Sequence, residues 1–183
     1  MDVTPTAIPD VKIFVPKKHG DHRGFFSETY SRKAMADAGI TATFVQDNHS
    51  MSAAPGVVRG LHYQLPPKAQ GKLVRVIRGA IYDVAVDIRR GSPTFGQWVG
   101  EVISAANWKQ IWVPPGFAHG FSVLEPDTEV IYKVTDDYSP KDERGIRWND
   151  PALGIDWRVP LEKAILSDRD TKHPMLKDAI DLF

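Results

Sequence analysis

Short extended segments separated by turn residues constrain the fold of this chain more than any other feature. Lys72–Arg78 and Ala80–Arg89 meet at Gly79, and both alternate between two sets of side chains with a period of two. Further segments of this kind are Val11–Val15, Phe25–Tyr30, Thr43–Ser52, Val57–Gln64, Trp98–Ser104, Gln110–Val113, His119–Leu124 and Glu129–Thr135. Such alternation at roughly 8–12-residue intervals is typical of antiparallel sandwiches and barrels. The sequence therefore predicts a mainly β fold.

Only two helices are predicted, and both are short and peripheral. Ser31 is a suitable N-cap for a helix over Arg32–Ala38, and Gly39 is a suitable end. A second helix over Pro174–Leu182 is expected as an appendage at the C-terminal end. Between the last strand and this helix, the segment Ser139–Pro160 is expected to wrap the barrel as loops.

Length and composition exclude several classes of protein. The 183 residues are 42% hydrophobic and 25% charged, which is ordinary for a globular chain, and we expect residues 1–183 to form a single domain. The 23 basic and 23 acidic residues cancel, so net charge does not favour nucleic acid as a partner. Without cysteine, disulfides, thiolate metal sites and cysteine nucleophiles are excluded. No long apolar run or secretory leader is visible, so we expect a cytoplasmic protein with no membrane partner.

Two of the six histidines stand in motifs that resemble those of the cupins. Gly56 precedes His62 at the spacing of the first cupin motif, and Pro114–His119 fits the second, Pro-x-Gly-x-x-His. Cupins usually hold a metal on three histidines and a glutamate at the mouth of a β-barrel. Here Gln64 replaces a histidine and the glutamate is missing, which leaves a poor set of ligands for zinc, iron or manganese. The resemblance implies a cupin-type double-stranded β-helix, a jelly-roll barrel, that has no metal.

The polar residues that remain suit proton abstraction beside a carbonyl group. A histidine with a nearby carboxylate is a general base, a lysine can stabilise a developing enolate, and a tyrosine can donate a proton. Residues of these types on separate segments that a barrel would bring together are Arg59, His62, Lys72, His119, Tyr132 and Tyr138. Taken singly, each also has a structural explanation: Lys72 as a solvated strand end, Tyr132 as core, Arg59 as a surface ion-pair partner.

Seven segments together resemble the dTDP-4-dehydrorhamnose 3,5-epimerase family of metal-independent sugar-nucleotide cupins. They are Asp21–Glu28, Phe44–Ser50, Val58–Gln64, Gln70–Val74, Pro114–Phe121, Tyr132–Tyr138 and Leu166–Asp170. They follow the family's order over nearly the whole chain. The resemblance implies epimerisation at carbons 3 and 5 of dTDP-4-dehydro-6-deoxy-D-glucose to dTDP-4-dehydro-L-rhamnose, with no cofactor.

The resemblance also implies roles for individual residues. His62 would be the base, oriented by Asp170, while Lys72 would stabilise the enolate and Tyr132 would protonate the opposite face. Residues implied to line the nucleotide-sugar site are Arg23, Glu28, Gln46, Asp47, Asn48, Arg59, His119, Glu143 and Arg169. At position 169 the family usually has lysine, and arginine keeps the charge with a different geometry.

Part of this site is expected to come from a second chain. Arg23 and Arg59 suit a pyrophosphate through charge-assisted hydrogen bonds. Phe26 and Tyr138 suit stacking on thymine, although Phe26 could equally belong to the barrel core. Members of the family are typically homodimers that exchange N-terminal strands. A homodimer is therefore expected, with Phe26 and Glu28 serving the neighbouring site.

Several alternatives stay open. Within the same set of proteins, the chain could be an epimerase of one centre or a 3,4-ketoisomerase, and the acid–base residues do not count the centres inverted. A non-catalytic sugar-nucleotide-binding cupin is a different class, and the complete acid–base set argues against it. A metal-dependent cupin oxygenase is disfavoured by Gln64 and the missing glutamate.

Overall fold

The computed structural model describes all 183 residues and contains thirteen strands with few helical segments. One α-helix and three 3₁₀ turns complete the regular structure. The strands are β1 Asp2–Pro5, β2 Lys12–Val15, β3 His19–Asp21, β4 Gly24–Phe26, β5 Gln46–Ser52, β6 Val58–Gln64, β7 Lys72–Arg78, β8 Ala80–Asp87, β9 Trp98–Ser104, β10 Gln110–Val113, β11 Phe117–Val123, β12 Thr128–Val134 and β13 Glu143–Gly145. The helix α1 covers Arg32–Asp37, and the 3₁₀ turns cover Leu161–Lys163, Asp170–Lys172 and Leu176–Asp178.

Two antiparallel sheets form the body of the fold. One has six strands in the order β1-β2-β10-β7-β12-β5, and the other has five in the order β13-β6-β11-β8-β9. β3 and β4 form a separate hairpin. The main apolar core joins side chains of both sheets, such as Val74 and Ile111 of the first and Ala85 and Phe121 of the second. The predicted mainly β, jelly-roll fold with short peripheral helices is confirmed.

Burial explains why the strands differ in pattern. Every residue of β8 is buried, because a second apolar cluster with Trp148 and Trp157 covers the outer face of the five-stranded sheet. β5 lies at the edge of the six-stranded sheet, and its residues alternate between partly buried and exposed up to Met51. The same alternation decides which β5 side chains can reach the interior.

The predicted segments agree with the strands over most of the chain. Lys72–Arg78, Trp98–Ser104 and Gln110–Val113 have the predicted bounds. Phe25–Tyr30 is wrong as a strand beyond Phe26, where β4 ends. Three strands were not predicted: β1, β3, and β13 inside a segment expected to be loops. These three strands have only three or four residues, too few for a pattern of period two to be recognised.

The predicted helix over Pro174–Leu182 is wrong, and only its centre forms a single 3₁₀ turn. Its backbone groups bond to other segments: Leu176 N–H donates to Asp150 Oδ2 at 2.7 Å, and Arg90 donates to the carbonyls of Ala179 and Phe183. An isolated helix of nine residues is marginal, so these tertiary partners prevail. The first helix forms as predicted but ends at Asp37, with Ser31 Oγ accepting from Ala34 N–H at 3.4 Å. None of the helices has the length and apolar character needed to span a bilayer.

Candidate active site

A cavity of about 690 Å³ lies between the two sheets and gathers most of the predicted site residues. Its walls contain Gln46, Asn48, Arg59, His62, Lys72, His119, Tyr132, Tyr138, Glu143, Arg169 and Asp170. The lining also includes side chains that the sequence analysis did not select, among them Gln70, Phe121, Ile165 and Ser167. The fold thus places eleven of the fifteen predicted site residues around one cavity.

His62 and Asp170 form a hydrogen-bonded pair at the wall made by the five-stranded sheet. His62 lies on β6, and its Nε2 is 2.5 Å from Oδ1 of Asp170, in the turn Asp170–Lys172. Burial lowers the pKa of His62 against the opposing effect of Asp170, so the imidazole is neutral near pH 7. Burial alone would raise the pKa of Asp170, but the imidazoles of His173 and His62 hold it well below its usual range. The pair is a neutral imidazole beside a carboxylate, which is the form of a general base.

Lys72 supplies positive charge to the same cavity. It is partly buried at the start of β7, and its Nζ lies 3.5 Å from the carbonyl oxygen of His62. Burial lowers the pKa of Lys72 to about 8, while Asp83 and Glu143 oppose the shift. The ammonium group is therefore largely retained at pH 7, and Lys72 is not a solvated strand end.

His119, which also lines the cavity, is fixed by a buried carboxylate. Its Nε2 lies 2.9 Å from each carboxylate oxygen of Asp83, and Asp83 is fully buried on β8. His119 is the register partner of His62 across β11 and β6. Asp83 was not among the predicted site residues, although an aspartate within an otherwise apolar strand is a signal for a paired buried carboxylate.

Tyr132 faces the cavity from the opposite sheet. It lies on β12 of the six-stranded sheet, whereas His62 lies on β6 of the five-stranded sheet. Burial raises the pKa of Tyr132, and Arg59 opposes the shift, so the phenol stays protonated at neutral pH. The cavity therefore has a base on one wall and a proton donor on the other.

Tyr138, Glu143 and Arg169 form a polar group at the cavity wall, the mouth cluster. Tyr138 donates its hydroxyl hydrogen to Glu143 at 2.7 Å, and Arg169 donates to both oxygens of Glu143 at 2.5 and 3.0 Å. Tyr138 is 51% exposed to solvent. Gln64, in the position of a cupin metal ligand, is instead buried, and its amide bonds to the backbone of Lys68, Asp137 and Ser139.

Four of the predicted binding residues lie outside this cavity. Arg23, Phe26 and Glu28 belong to the β3–β4 hairpin or follow it, and all three are exposed. Phe26 is 68% exposed, so it is not part of the barrel core. Asp47 faces away because it occupies the outward phase of β5, and it pairs with Lys133 at 2.8 Å. The prediction that Asp47 lines this cavity is wrong, because the pleat of a strand points neighbouring side chains to opposite faces.

The His62–Asp170 pair has one further neighbour, His173, which was not among the predicted site residues. Ligand atoms of His62, Asp170 and His173 lie within 4.8 Å of one another. Two nitrogen or oxygen atoms on one tetrahedral zinc ion, each about 2.0–2.1 Å from it, lie about 3.3 Å apart. The 2.5 Å between His62 and Asp170 is instead a direct hydrogen bond, so the spacing suits a dyad rather than an ion.

Comparison with known proteins connects this cavity to a family. A sequence model described as dTDP-4-dehydrorhamnose 3,5-epimerase matches residues 5–178. A protein of that name from Pseudomonas aeruginosa is 56% identical over 181 residues, which covers 98% of each chain. A Legionella pneumophila dTDP-6-deoxy-D-glucose-3,5-epimerase, solved with dTDP-4-keto-L-rhamnose, is 49% identical with a TM-score of 0.92, covering 97% of this chain and 93% of that one. A 3'-monoepimerase from Streptomyces bikiniensis, solved with dTDP-quinovose, is 33% identical with a TM-score of 0.87, covering 94% and 87%.

Proposed function

Since this chain belongs to the dTDP-4-dehydrorhamnose 3,5-epimerase family, we propose that its cavity performs the family's reaction with His62 as base and Tyr132 as acid. The enzyme is an isomerase that inverts carbons 3 and 5 of dTDP-4-dehydro-6-deoxy-D-glucose to give dTDP-4-dehydro-L-rhamnose. The observation that carries the assignment of roles is the placement of His62 and Tyr132 on facing sheets of one cavity.

The first half of each inversion is removal of a proton beside the ketone. Neutral His62 takes a proton from carbon 3 or carbon 5, and the resulting imidazolium is stabilised by Asp170 at 2.5 Å. The electron pair of the broken C–H bond moves towards the ketone, and negative charge collects on its oxygen. The Lys72 ammonium can stabilise that oxyanion in a partly enclosed site.

The second half is protonation from the other side of the ring. The Tyr132 phenol stays protonated at neutral pH and lies on the wall opposite His62. It can therefore donate its proton to the ring face opposite the one that lost a proton to His62, and the centre inverts. Repeating the two steps at the second carbon completes the reaction, with no oxidant or metal required.

The nucleotide part of the substrate is assigned to the mouth cluster and its surroundings. Arg59 and Arg169 offer guanidinium groups to a pyrophosphate, and the exposed ring of Tyr138 offers a stacking face for thymine. Gln46, Asn48, His119 and Glu143 complete the polar lining for the sugar and base. Asp47 is left out of this proposal because it faces away.

The remaining contacts are proposed to come from a partner chain in a cytoplasmic homodimer. Arg23 and Phe26 lie on the β3–β4 hairpin and Glu28 follows it, and none of the three lines the cavity of its own chain. An arginine and an unburied phenylalanine on a projecting hairpin suit a phosphate and a base in a neighbouring site. This supports the expectation that Phe26 and Glu28 act across the dimer.

An epimerase of a single centre is the second candidate, because the Streptomyces bikiniensis monoepimerase has the same fold. NMR of dTDP-4-dehydro-6-deoxy-D-glucose with enzyme in D2O separates the two. We expect deuterium at both carbon 3 and carbon 5, with inversion at each. Exchange confined to one carbon would identify a monoepimerase, and exchange at neither would contradict the proposed roles.

A further inference from the structure

His173 lies against the His62–Asp170 pair with a buried nitrogen that has no hydrogen-bond partner. Its Nε2 is 3.6 Å from Asp170 Oδ1, the same oxygen that bonds to His62 at 2.5 Å. The rings of His62 and His173 meet edge to face, with centroids 5.6 Å apart. Two imidazoles thus converge on one carboxylate oxygen, and only one of them has a role in the reaction described above.

The backbone holds His173 in this place from outside the cavity. Arg147 donates from Nε to the His173 carbonyl at 3.3 Å and from its backbone N–H to the Pro174 carbonyl at 2.7 Å. The side chain of His173 is largely buried, with 15% of its area exposed. A buried polar nitrogen costs free energy unless it has a partner, so its position beside a carboxylate needs an explanation.

Gly145 provides the space that the His173 ring occupies. It lies on β13 directly across from His62 in the β6–β13 register. A Cβ at position 145 would overlap Nε2 and its two neighbouring ring carbons in His173. A side chain at 145 and the imidazole at 173 therefore compete for one volume beside the dyad.

The other charged groups around the His62–Asp170 dyad are either cations or already paired, so His173 is the remaining group beside Asp170. Lys72 on β7 and Arg169, just before Asp170, both act on His62 as positive charges. Glu143 on β13 is neutralised by Arg169, and His119 on β11 is bonded to Asp83. Asp170 is the anion bonded to His62, and His173 is the second imidazole beside this anion, 3.6 Å from the same oxygen.

We propose that His173 is a positioning residue: its Nε2–H faces Asp170 Oδ1, keeps that oxygen aligned with His62 and limits the negative charge that His62 meets. This inference rests on the proposed role of His62 as base. A carboxylate beside Nε2 favours the tautomer with hydrogen on that atom. A donor that draws on the carboxylate weakens the attraction of Asp170 for a proton on His62, which keeps the base neutral at lower pH.

The test measures the pH profile of kcat/KM for His173→Ala. Without the donor, Asp170 acts on His62 unopposed, so the acid limb should move to higher pH by on the order of half a unit to one unit. The loss in kcat at neutral pH should be smaller than the ~10²-fold minimum for removing a general base, with KM nearly unchanged. His173→Gln retains an N–H at about the position of Nε2 and should restore the acid limb towards the wild-type position.

Gly145→Ala gives a second test, in which the imidazole of His173 is present but moved. The added methyl group displaces the imidazole, so this variant should reproduce the shifted limb of His173→Ala. The double variant should be no worse than His173→Ala alone, because the vacated ring volume accommodates the methyl group. His49→Ala, which removes an exposed histidine paired with Glu129 outside the cavity, should leave the profile unchanged.

The outcomes separate this inference from the proposed function. Wild-type enzyme that exchanges deuterium at carbons 3 and 5, together with His173→Ala and His173→Gln variants that have the wild-type acid limb and kcat, would overturn the role of His173. Wild-type enzyme that exchanges at neither carbon would overturn the role of His62 instead. If His173→Ala melts at a lower temperature than wild type, two comparisons still decide the role of His173. One is the pH profile of kcat/KM for folded His173→Gln, and the other is whether the effects of Gly145→Ala and His173→Ala add in the double variant.

Discussion

At the scale of single residues, burial sets the protonation states that the reaction needs. The pKa of His62 is lowered, that of Lys72 falls to about 8, and that of Tyr132 is raised, in each case first by burial. These directions give a neutral base, a cation and a neutral acid at the same pH. For His62, a lowered pKa means that the competent neutral form persists as pH falls, and it is lost only below that lowered value. Activity should therefore decline on the acid side below the ordinary histidine range near 6.5.

Replacing His62 with asparagine tests the base directly. His62→Asn should abolish deuterium exchange at both carbons, with a loss of at least ~10²–10⁴-fold, because no other neutral base is bonded to Asp170. Binding of dTDP, measured by calorimetry, should be largely retained, since the nucleotide is assigned to the mouth cluster. A folded variant that exchanges at nearly the normal rate would remove His62 from this role.

Replacing Tyr132 with phenylalanine separates exchange from inversion. Tyr132→Phe keeps the ring that packs against the core and loses only the phenol. His62 can still form the enolate and return deuterium to the face it came from, so exchange should outpace formation of inverted product. The ratio of the two, followed by NMR in D2O, should rise relative to wild type. A normal ratio at a normal rate would show that water is the acid and Tyr132 only packs.

At the scale of elements, the β3–β4 hairpin does not line the cavity of its own chain. Phe25 is 59% exposed but packs edge to face on Trp108, with ring centroids 5.2 Å apart, and its neighbour Phe26 is 68% exposed. The pleat points the two rings to opposite faces of the hairpin, so Phe25 contacts Trp108 and Phe26 projects from the other face. The same pleat on β5 turns Asn48 inward and Asp47 outward. Small elements therefore decide which of two neighbouring residues can take part in binding.

The hairpin is tested by Phe26→Ala. If this ring stacks on the base in a neighbouring site, its loss should raise KM by roughly two- to tenfold, corresponding to an aromatic contact of ~0.5–1.5 kcal/mol. The melting temperature should hardly change, because the ring is exposed in its own chain. Ile180→Ala, which removes another strongly exposed apolar side chain, is the matched control and should leave KM as it was. A Phe26→Ala variant with wild-type KM would exclude the hairpin from the site.

At the scale of the whole molecule, the two sheets bring acid and base to opposite sides of one space. β6 ends at Gln64 and β12 begins only at Thr128, and the two strands belong to different sheets, yet both line the cavity. A jelly roll produces this arrangement because its facing sheets enclose a core that opens at one end. The site is completed by residues from a turn near the C-terminal end and, in the proposed dimer, from a hairpin near the N-terminal end of the partner.

Mixing a variant that lacks the base with a variant of the hairpin tests the shared site. Sedimentation should give about twice 20.4 kDa, since two-fold dimers are the commonest closed assembly. Unfolding and refolding His62→Asn together with Arg23→Ala should restore up to about a quarter of wild-type activity, because half of random dimers then contain one intact site. His62→Asn mixed with Asp170→Asn should restore none, since both residues belong to one chain's dyad. No recovery in the first mixture would assign the hairpin to its own chain.

The sequence by itself determined the mainly β class, most strand positions and most of the cavity residues. Alternation and turn residues are local signals, and the motifs around His62, Lys72, His119 and Tyr132 are contiguous stretches of chain, so both are visible without coordinates. Only the tertiary structure decided that Asp83 fixes His119, that Gly145 leaves room for His173, that Asp47 faces outward and that Pro174–Leu182 is not a helix. Each of these depends on contacts between segments distant in sequence, where packing and hydrogen bonding outweigh local propensity.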